Sequence, residues 1–317
     1  MSKLFASQAD LADKRETFAD LAPGVYALTA EGDPNSGVVV GDDSVLVIDA
    51  RATPVMAKEL VAHVRKVTDK PIRHVLLTHY HAVRVLGAAG YEERVNTIAS
   101  DATRDMIVER GRQDMDSEIQ RFPRLFRAKE TIPGLTWPNI VFHDRMTLWL
   151  GKREVQIVHA GRGHTRGDTT AWLPEEWVLF SGDLVEHGAT PYCGDAHFGD
   201  WPGTLDRLTA LQPKALVPGR GEALTTPQQV EQGLRETRAF LEDLFGIARA
   251  GARAGHTLKQ VYDTALRELR PKYGHWVIFD HCMPFDVSRA YDEATAHRDP
   301  RVWTAERDVE MWKALES

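Results

Sequence analysis

The chain has 317 residues, 43% of them apolar and 27% charged, with a formal net charge of −7. Such an acidic balance argues against a general nucleic-acid binder, which carries a basic field. No apolar run reaches the roughly 18 residues of a membrane span, and two cysteines, Cys193 and Cys282, are too few for a disulfide framework.

The opening stretch, MSKLFASQADLADKRETFADLAPG, lacks an apolar core and a small-residue cleavage site, so a cytoplasmic location is expected. Residues 24–30 and 37–49 read as strands, the second broken by a turn at Gly41-Asp42-Asp43. Residues 54–66 fit a helix with Pro54 in its first turn, and 73–78 read as a short buried strand. The charged stretch 101–130 reads as helices interrupted at Pro123. Hairpins are expected over 147–159, turning at Gly151-Lys152, and over 169–182, followed by a short strand at 215–217. Helical periodicity takes over at 227–252, 257–270 and 287–316. The expected organisation is an α/β body over 1–225 and a helical C-terminal extension over 226–317, packed on it.

Four strand ends in this scheme each present polar groups. The strand at 73–78 runs into Thr78-His79-Tyr80-His81-Ala82-Val83-Arg84-Val85-Leu86-Gly87. Loops just past the carboxyl ends of strands are where open α/β sheets bind ligands, and two imidazoles there can converge on one cation. His164 follows in a glycine-flanked loop, Gly-Arg-Gly-His-Thr-Arg-Gly-Asp, ending at Asp168. Asp183 comes directly after Gly182 at the end of an apolar strand, and Pro218-Gly219-Arg220-Gly221 closes the series.

This set resembles the metallo-β-lactamase superfamily, whose pattern is a THxHxDHxxG loop, a GHTxGD loop, a GD after a strand and a PGHG loop. The resemblance spans roughly residues 20–225 and implies a four-layer αββα sandwich with the site on one edge, between the sheets. It implies that His79, His81 and His164 hold one metal and that Asp183 takes the position of the usual bridging acid. The second metal of the family needs an Asp-His pair and a further histidine. Those positions are Val83, Arg84 and Arg220. Valine has no donor atom, and arginine carries N–H donors without a lone pair, so a single metal is expected. Losing a divalent cation and one carboxylate removes one positive charge, and two arginines add two. Two roles are open to Arg84 and Arg220: pairing with Asp183 to fill the vacated site, or clamping an anionic group of a substrate.

Three imidazoles with an open position suit a catalytic zinc, which would lower the pKa of its bound water towards 7 and supply hydroxide. Asp183 would then orient that water or complete the ligand set. The leading expectation is a one-zinc hydrolase of an ester, thioester or similar bond in a small anionic substrate. Iron is the competitor. A few superfamily members are mononuclear iron oxygenases acting on persulfides, and His79, His164 and Asp183 supply their two-histidine, one-carboxylate set. A binding protein that has lost catalysis is the third reading. Hydrolysis of β-lactams is not expected of a chain without a secretory signal. His187, Tyr192 and His197, in the segment 185–201 after Asp183, are candidates to line the pocket. Asp168 is expected to stabilise its loop, and Asp195 and Asp200 to be ordinary loop residues. The patch 275–291, dense in Trp, Phe, Tyr and His, can cap a pocket or form a face for a homodimer. Together with the HYHAVRVLGA loop, it resembles a branch related to SoxH-type metallohydrolases of sulfur-oxidation clusters.

Overall fold

The computed structural model describes residues 5–91, 95–295 and 297–316. Two mixed sheets lie face to face. The first has seven strands in sequence order: β1 (Glu16–Ala22), β2 (Val25–Ala30), β3 (Ser36–Val40), β4 (Val45–Ile48), β5 (Ile72–Leu76), β6 (Asn96–Ser100) and β7 (Ile140–Phe142). The first four pair antiparallel, and β4 to β7 run parallel. The second sheet has the order β12-β11-β10-β9-β8, with β8 (Arg145–Leu150), β9 (Arg153–Val158), β10 (Thr170–Leu173), β11 (Val178–Gly182) and β12 (Ala215–Pro218). The last two of these are parallel.

Parallel pairs need crossovers, and helices make them. Helix α1 (Pro54–Val64) joins β4 to β5, with Thr53 as its N-cap and Pro54 at the first position. The short α2 (Ala82–Val85) carries the second half of the His79 loop, and α3 (Asp101–Arg121) follows β6. Helix α4 (Trp201–Ala210) joins β11 to β12. The chain then continues as α5 (Pro227–Arg253), α6 (Leu258–Tyr273), α7 (Phe279–Thr295) and α8 (Ala305–Glu316).

Three buried clusters define the layers. Val39, Leu46 and Leu76 of the first sheet meet Val155, Ile157 and Phe180 of the second between the sheets. Val47, Val75 and Leu77 pack against Leu60, Met106 and Phe126 on one outer face. Trp172, Leu179 and Leu216 pack against Trp201, Phe240 and Met283 on the other. The layering is thus αββα, with the C-terminal helices built into the outer layer of the second sheet.

Sequence patterning did not expose β1, β6, β7 or α4. Strand β6 is Asn-Thr-Ile-Ala-Ser, and β7 has three residues. Both are positioned by parallel pairing, which no local pattern encodes. The 287–316 stretch is two helices, and α7 begins earlier than expected, at Phe279. Its first half is almost wholly buried, so no amphipathic period marks it.

Candidate metal centre

His79 and His81 lie between the end of β5 and α2, and His164 in the turn between β9 and β10. All three are at most 3% exposed. Their rings stand edge-on to one another with centroids 4.7–4.8 Å apart, and one nitrogen of each lies within 4.8 Å of the others.

The outer nitrogens identify the inner ones. His79 Nδ1 is 3.0 Å from Thr78 Oγ1, and His164 Nδ1 donates to the Tyr192 carbonyl at 2.8 Å. His81 Nε2 is 3.1 Å from Asp195 Oδ2. That leaves His79 Nε2, His81 Nδ1 and His164 Nε2 facing inward. His79 Nε2 is fully buried with no partner among the described residues, and His164 Nε2 meets His81 Nδ1 at 3.0 Å. An orphaned buried nitrogen is costly, and imidazoles each held in orientation by a hydrogen bond at the other ring nitrogen are the usual arrangement around a metal ion. The donor set fits one ion. Burial holds His79 well below the usual histidine range and His164 at about 3, so both are neutral lone-pair donors. Burial also pushes His81 down, but Asp114, the hydrogen bond to Asp195, and Glu118 outweigh it and raise it to about 9. A metal at this centre therefore competes with a proton on His81.

The neighbouring space is filled differently. Asp183 Oδ2 lies 3.8 Å from His79 Nε2 and 3.7 Å from His164 Nε2. The same oxygen accepts from Arg220 Nη1 at 3.0 Å, and Oδ1 accepts a short bond from Arg84 Nη2. Arg84 is 1% exposed and also donates to the carbonyls of Asn35 (2.6 Å) and Gly219 (2.7 Å), with Asp49 3.4 Å away. Although burial pushes the Asp183 carboxyl up, the guanidinium of Arg84, with that of Arg220, holds it well below the usual carboxylate range. Burial raises Asp49 to about 6 and, with Asp183, raises Glu186 to about 8. Asp183 is therefore the principal counter-ion of both guanidiniums, as the first of the two roles open to Arg84 and Arg220 requires. Gly219 is needed here, because a Cβ on it would lie 2.4 Å from Asp183 Oδ1. No lone pair from position 83, 84 or 220 faces this space, so the residues do not fit a second ion.

The other expectations divide. Tyr192 reaches the centre, with its carbonyl on His164 and its ring 5.7 Å from that of His81. His187 approaches only through its backbone, donating to the Arg220 carbonyl at 3.1 Å, while its half-buried ring lies 4.0 Å from Glu236. His197 is buried, and the charges that act on it are those of Arg162, Arg289, Asp200 and Asp299 rather than those of the centre. Asp168 braces its loop by accepting from Thr165 N and Oγ1, as expected.

Asp195 requires a correction. Far from an ordinary loop residue, it is 2% exposed and accepts from Tyr80 Oη (2.7 Å) and Arg110 Nη1 (3.1 Å) besides orienting His81. The sequence reading also missed the inner face of α3. Asp114 accepts from the backbone N–H of Ala82 at 2.6 Å, and Glu118 from that of Val83 at 3.0 Å. These carboxylates cap α2 and fix the loop that presents His81. Their signal was the spacing Arg110, Asp114, Glu118, which puts three charges on one helix face.

The sequence pattern of the metallo-β-lactamase superfamily matches residues 29–220, more than half of the chain. The chain belongs to the metallo-β-lactamase superfamily. Among curated relatives, it is 22% identical over 245 residues to a linear primary-alkylsulfatase of Pseudomonas sp., covering 65% of this chain and 45% of that protein. It is 33% identical over 107 residues to an acyl-coenzyme A thioesterase of Bos taurus, covering 32% of this chain and 37% of the other. The chain thus spans less than half the length of either. Among solved structures, the inverting sec-alkylsulfatase Pisa1 from Pseudomonas sp. superposes with a TM-score of 0.71 at 16% identity, over 88% of this chain and 50% of that one. That likeness establishes the shared fold. No helix among the described residues is long and apolar enough to cross a membrane.

Proposed function

We propose that this superfamily member is a mononuclear zinc hydrolase of a small anionic substrate carrying an ester, thioester or sulfate-ester bond. The observation that carries the reading is the division of labour around Asp183. Three imidazole nitrogens converge on one side of it, and two guanidiniums occupy the other. Three neutral imidazoles with an open position are the donor set of a catalytic zinc. A divalent ion held by His79, His81 and His164 would supply Lewis acidity and acidify a water molecule.

The chain's own residues do the rest. Asp195, Thr78 and the Tyr192 carbonyl fix the ring orientations. Asp183 stays ionised and sits beside the triad, where it can accept a proton-bearing group. Arg220 donates from its side chain only through Nη1 among the described residues, which leaves Nε and Nη2 for an anionic group of the substrate. The iron alternative uses two histidines and a carboxylate. It is disfavoured because Asp183 already answers two arginines, and a third imidazole stands in the set. Relatives that act on alkyl sulfates and acyl-coenzyme A thioesters support the range of leaving groups.

The test is a hydrolysis screen with a p-nitrophenyl carboxylate ester, an alkyl sulfate and an acyl thioester. Activity should be lost on chelation and restored by one equivalent of Zn2+, and Arg220→Met should raise KM for anionic substrates more than for neutral ones. Hydrolysis indifferent to chelation would overturn the reading.

A further inference from the structure

A cavity of about 290 Å3 opens between the N-terminal segment, the end of α3 and the α6–α7 junction. That is near the lower end of the roughly 300–1,000 Å3 of small-molecule sites. Arg220 is the residue it shares with the metal centre. Phe122, Leu125, Trp276, Val277, Ile278 and Phe279 give it apolar walls. Its N-terminal part and its 274–281 wall lie outside the stretch that carries the superfamily pattern.

His281 lines the cavity and is 2% exposed. Its Nδ1 is 2.8 Å from Ser7 Oγ, and its Nε2 has no partner among the described residues. The tautomer follows from the serine. Ser7 has one hydroxyl proton, and it donates to the Arg121 carbonyl at 2.6 Å. Ser7 Oγ must therefore accept from His281, which puts the imidazole proton on Nδ1. Burial and the nearby Arg121 and Arg220 hold His281 well below the usual range, so the ring is neutral and Nε2 is a bare acceptor. The cavity lining thus includes a guanidinium with unused donors and an imidazole whose buried lone pair lacks a donor.

The wall is fixed rather than loose. Ile278 has φ +58°, a conformation that a β-branched residue rarely adopts. Strain of this kind persists where the surroundings over-determine it, and it clusters at ligand sites. The Ile278 carbonyl accepts from His281 N (3.0 Å) and Cys282 N (2.9 Å), which sets the start of α7. Val277 is bonded on both sides to the loop that follows Asp183, through Gly188 and Thr190. Among the other charged residues lining it, Lys14 pairs with Asp10 and Arg124 with Asp33, while Glu31 and Asp280 are exposed carboxylates. A ligand with several negative charges would meet them, whereas a single anionic group held inside would not.

We infer that this cavity binds an amphiphilic monoanion whose charged group meets Arg220, whose adjacent hydroxyl or amide N–H donates to His281 Nε2, and whose apolar body lies along Trp276 and Phe122. It is the substrate pocket of the proposed hydrolase, and as a substrate assignment it rests on that reading. His281 and Trp276 are substrate-binding residues.

The experiment is calorimetric titration of the full chain, as purified, with 2-hydroxyoctanoate, octanoate and lactate. One equivalent of 2-hydroxyoctanoate should bind about tenfold more tightly than octanoate, the worth of one buried hydrogen bond. It should bind at least roughly thirtyfold more tightly than lactate, since each buried CH2 contributes about 0.8 kcal/mol. His281→Phe keeps an aromatic ring among Phe5, Phe122 and Phe285. It should abolish the preference for the hydroxylated acid while octanoate still binds. Trp276→Ala, a change at a half-buried position, should narrow the gap between 2-hydroxyoctanoate and lactate. Equal affinity for the two octanoates, or a preference that survives His281→Phe, would overturn the proposal. So would loss of all binding in His79→Ala, which would place the hydroxy acid on the metal rather than in the cavity. Binding as expected, in a protein whose hydrolysis ignores chelation, would keep the pocket and remove the hydrolase reading. Chelation-sensitive hydrolysis without this binding would do the reverse.

Discussion

Arg84→Met tests whether a guanidinium has replaced the second metal as the counter-charge of Asp183. The substitution keeps an unbranched side chain of similar reach and deletes the charge. It strands the Asp183 oxygen that Arg84 holds, removes a donor from the carbonyls of Asn35 and Gly219, and leaves Arg220 as the remaining cation on Asp183. Breaking a buried ion pair by removing one partner costs about 3–5 kcal/mol, because the other charge stays buried. Against a total stability of roughly 5–15 kcal/mol this is a large fraction. The comparison that isolates the charge is the double variant Arg84→Met with Asp183→Asn, which removes both partners. Its cost should fall short of the sum of the single variants by about 2 kcal/mol or more, the signature of a pair in direct contact. The assay is urea unfolding of all four proteins with chelator present, so that no metal obscures the electrostatics. Costs that add to within about 0.5 kcal/mol would refute the reasoning, as would an Arg84→Met protein as stable as its parent.

Asp195→Asn should weaken Zn2+ binding about 10- to 100-fold, as removal of an outer-shell carboxylate does. Competition with a chromophoric chelator measures it, and unchanged affinity would remove Asp195 from the centre. Burial holds the Asp286 carboxyl well above its usual range, with Oδ1 on Cys193 N and Oδ2 unpartnered. In the unfolded chain that carboxyl ionises near pH ~3.9, so above this pH the folded state binds the extra proton and stability falls as pH rises, by at most about 1.4 kcal/mol per unit. Asp286→Asn should therefore gain on the parent between pH 5 and pH 8 in urea unfolding, and a difference constant with pH would count against it. Arg84→His with Arg220→His should raise metal content towards two per chain only when Val83→Asp is added. Two tightly held ions without the Val83 change would mean that the lost site has been misread.

The clustering of three histidines was legible because metal chemistry constrains short local patterns. His79, His81 and His164 stand in loops that follow strands, and their residue types leave few other uses. The absence of metal donors at Val83, Arg84 and Arg220 was legible for the same reason, since none of them has a lone pair to offer a metal. What orients the three histidines was not. Asp195 lies 114 residues from His81 in sequence, and Asp114 lies 32 from Ala82. A carboxylate that caps a helix on one side of the chain looks the same in sequence as one that faces water. The α3 charges show the difficulty. Arg110, Arg121 and Glu118 are buried, and the helix reads as strongly polar because only part of its inner face, through Met106, Ile107 and Met115, enters the apolar core. The αββα layering was implied by the family resemblance that the strand-end motifs carry, while β6 and β7 depend on parallel partners far along the chain. His281 was visible only as part of an aromatic patch. Its role needs Ser7, which is 274 residues away.

The proposed function depends on one metal ion per chain, held by three imidazoles beside an arginine-filled second site. Elemental analysis of protein purified without chelator or added metal, in parallel with His79→Ala, tests it most directly. About one zinc per chain is expected in the parent, with loss of that zinc in the variant. Two tightly bound ions per chain, or one that persists without the His79 imidazole, would contradict it.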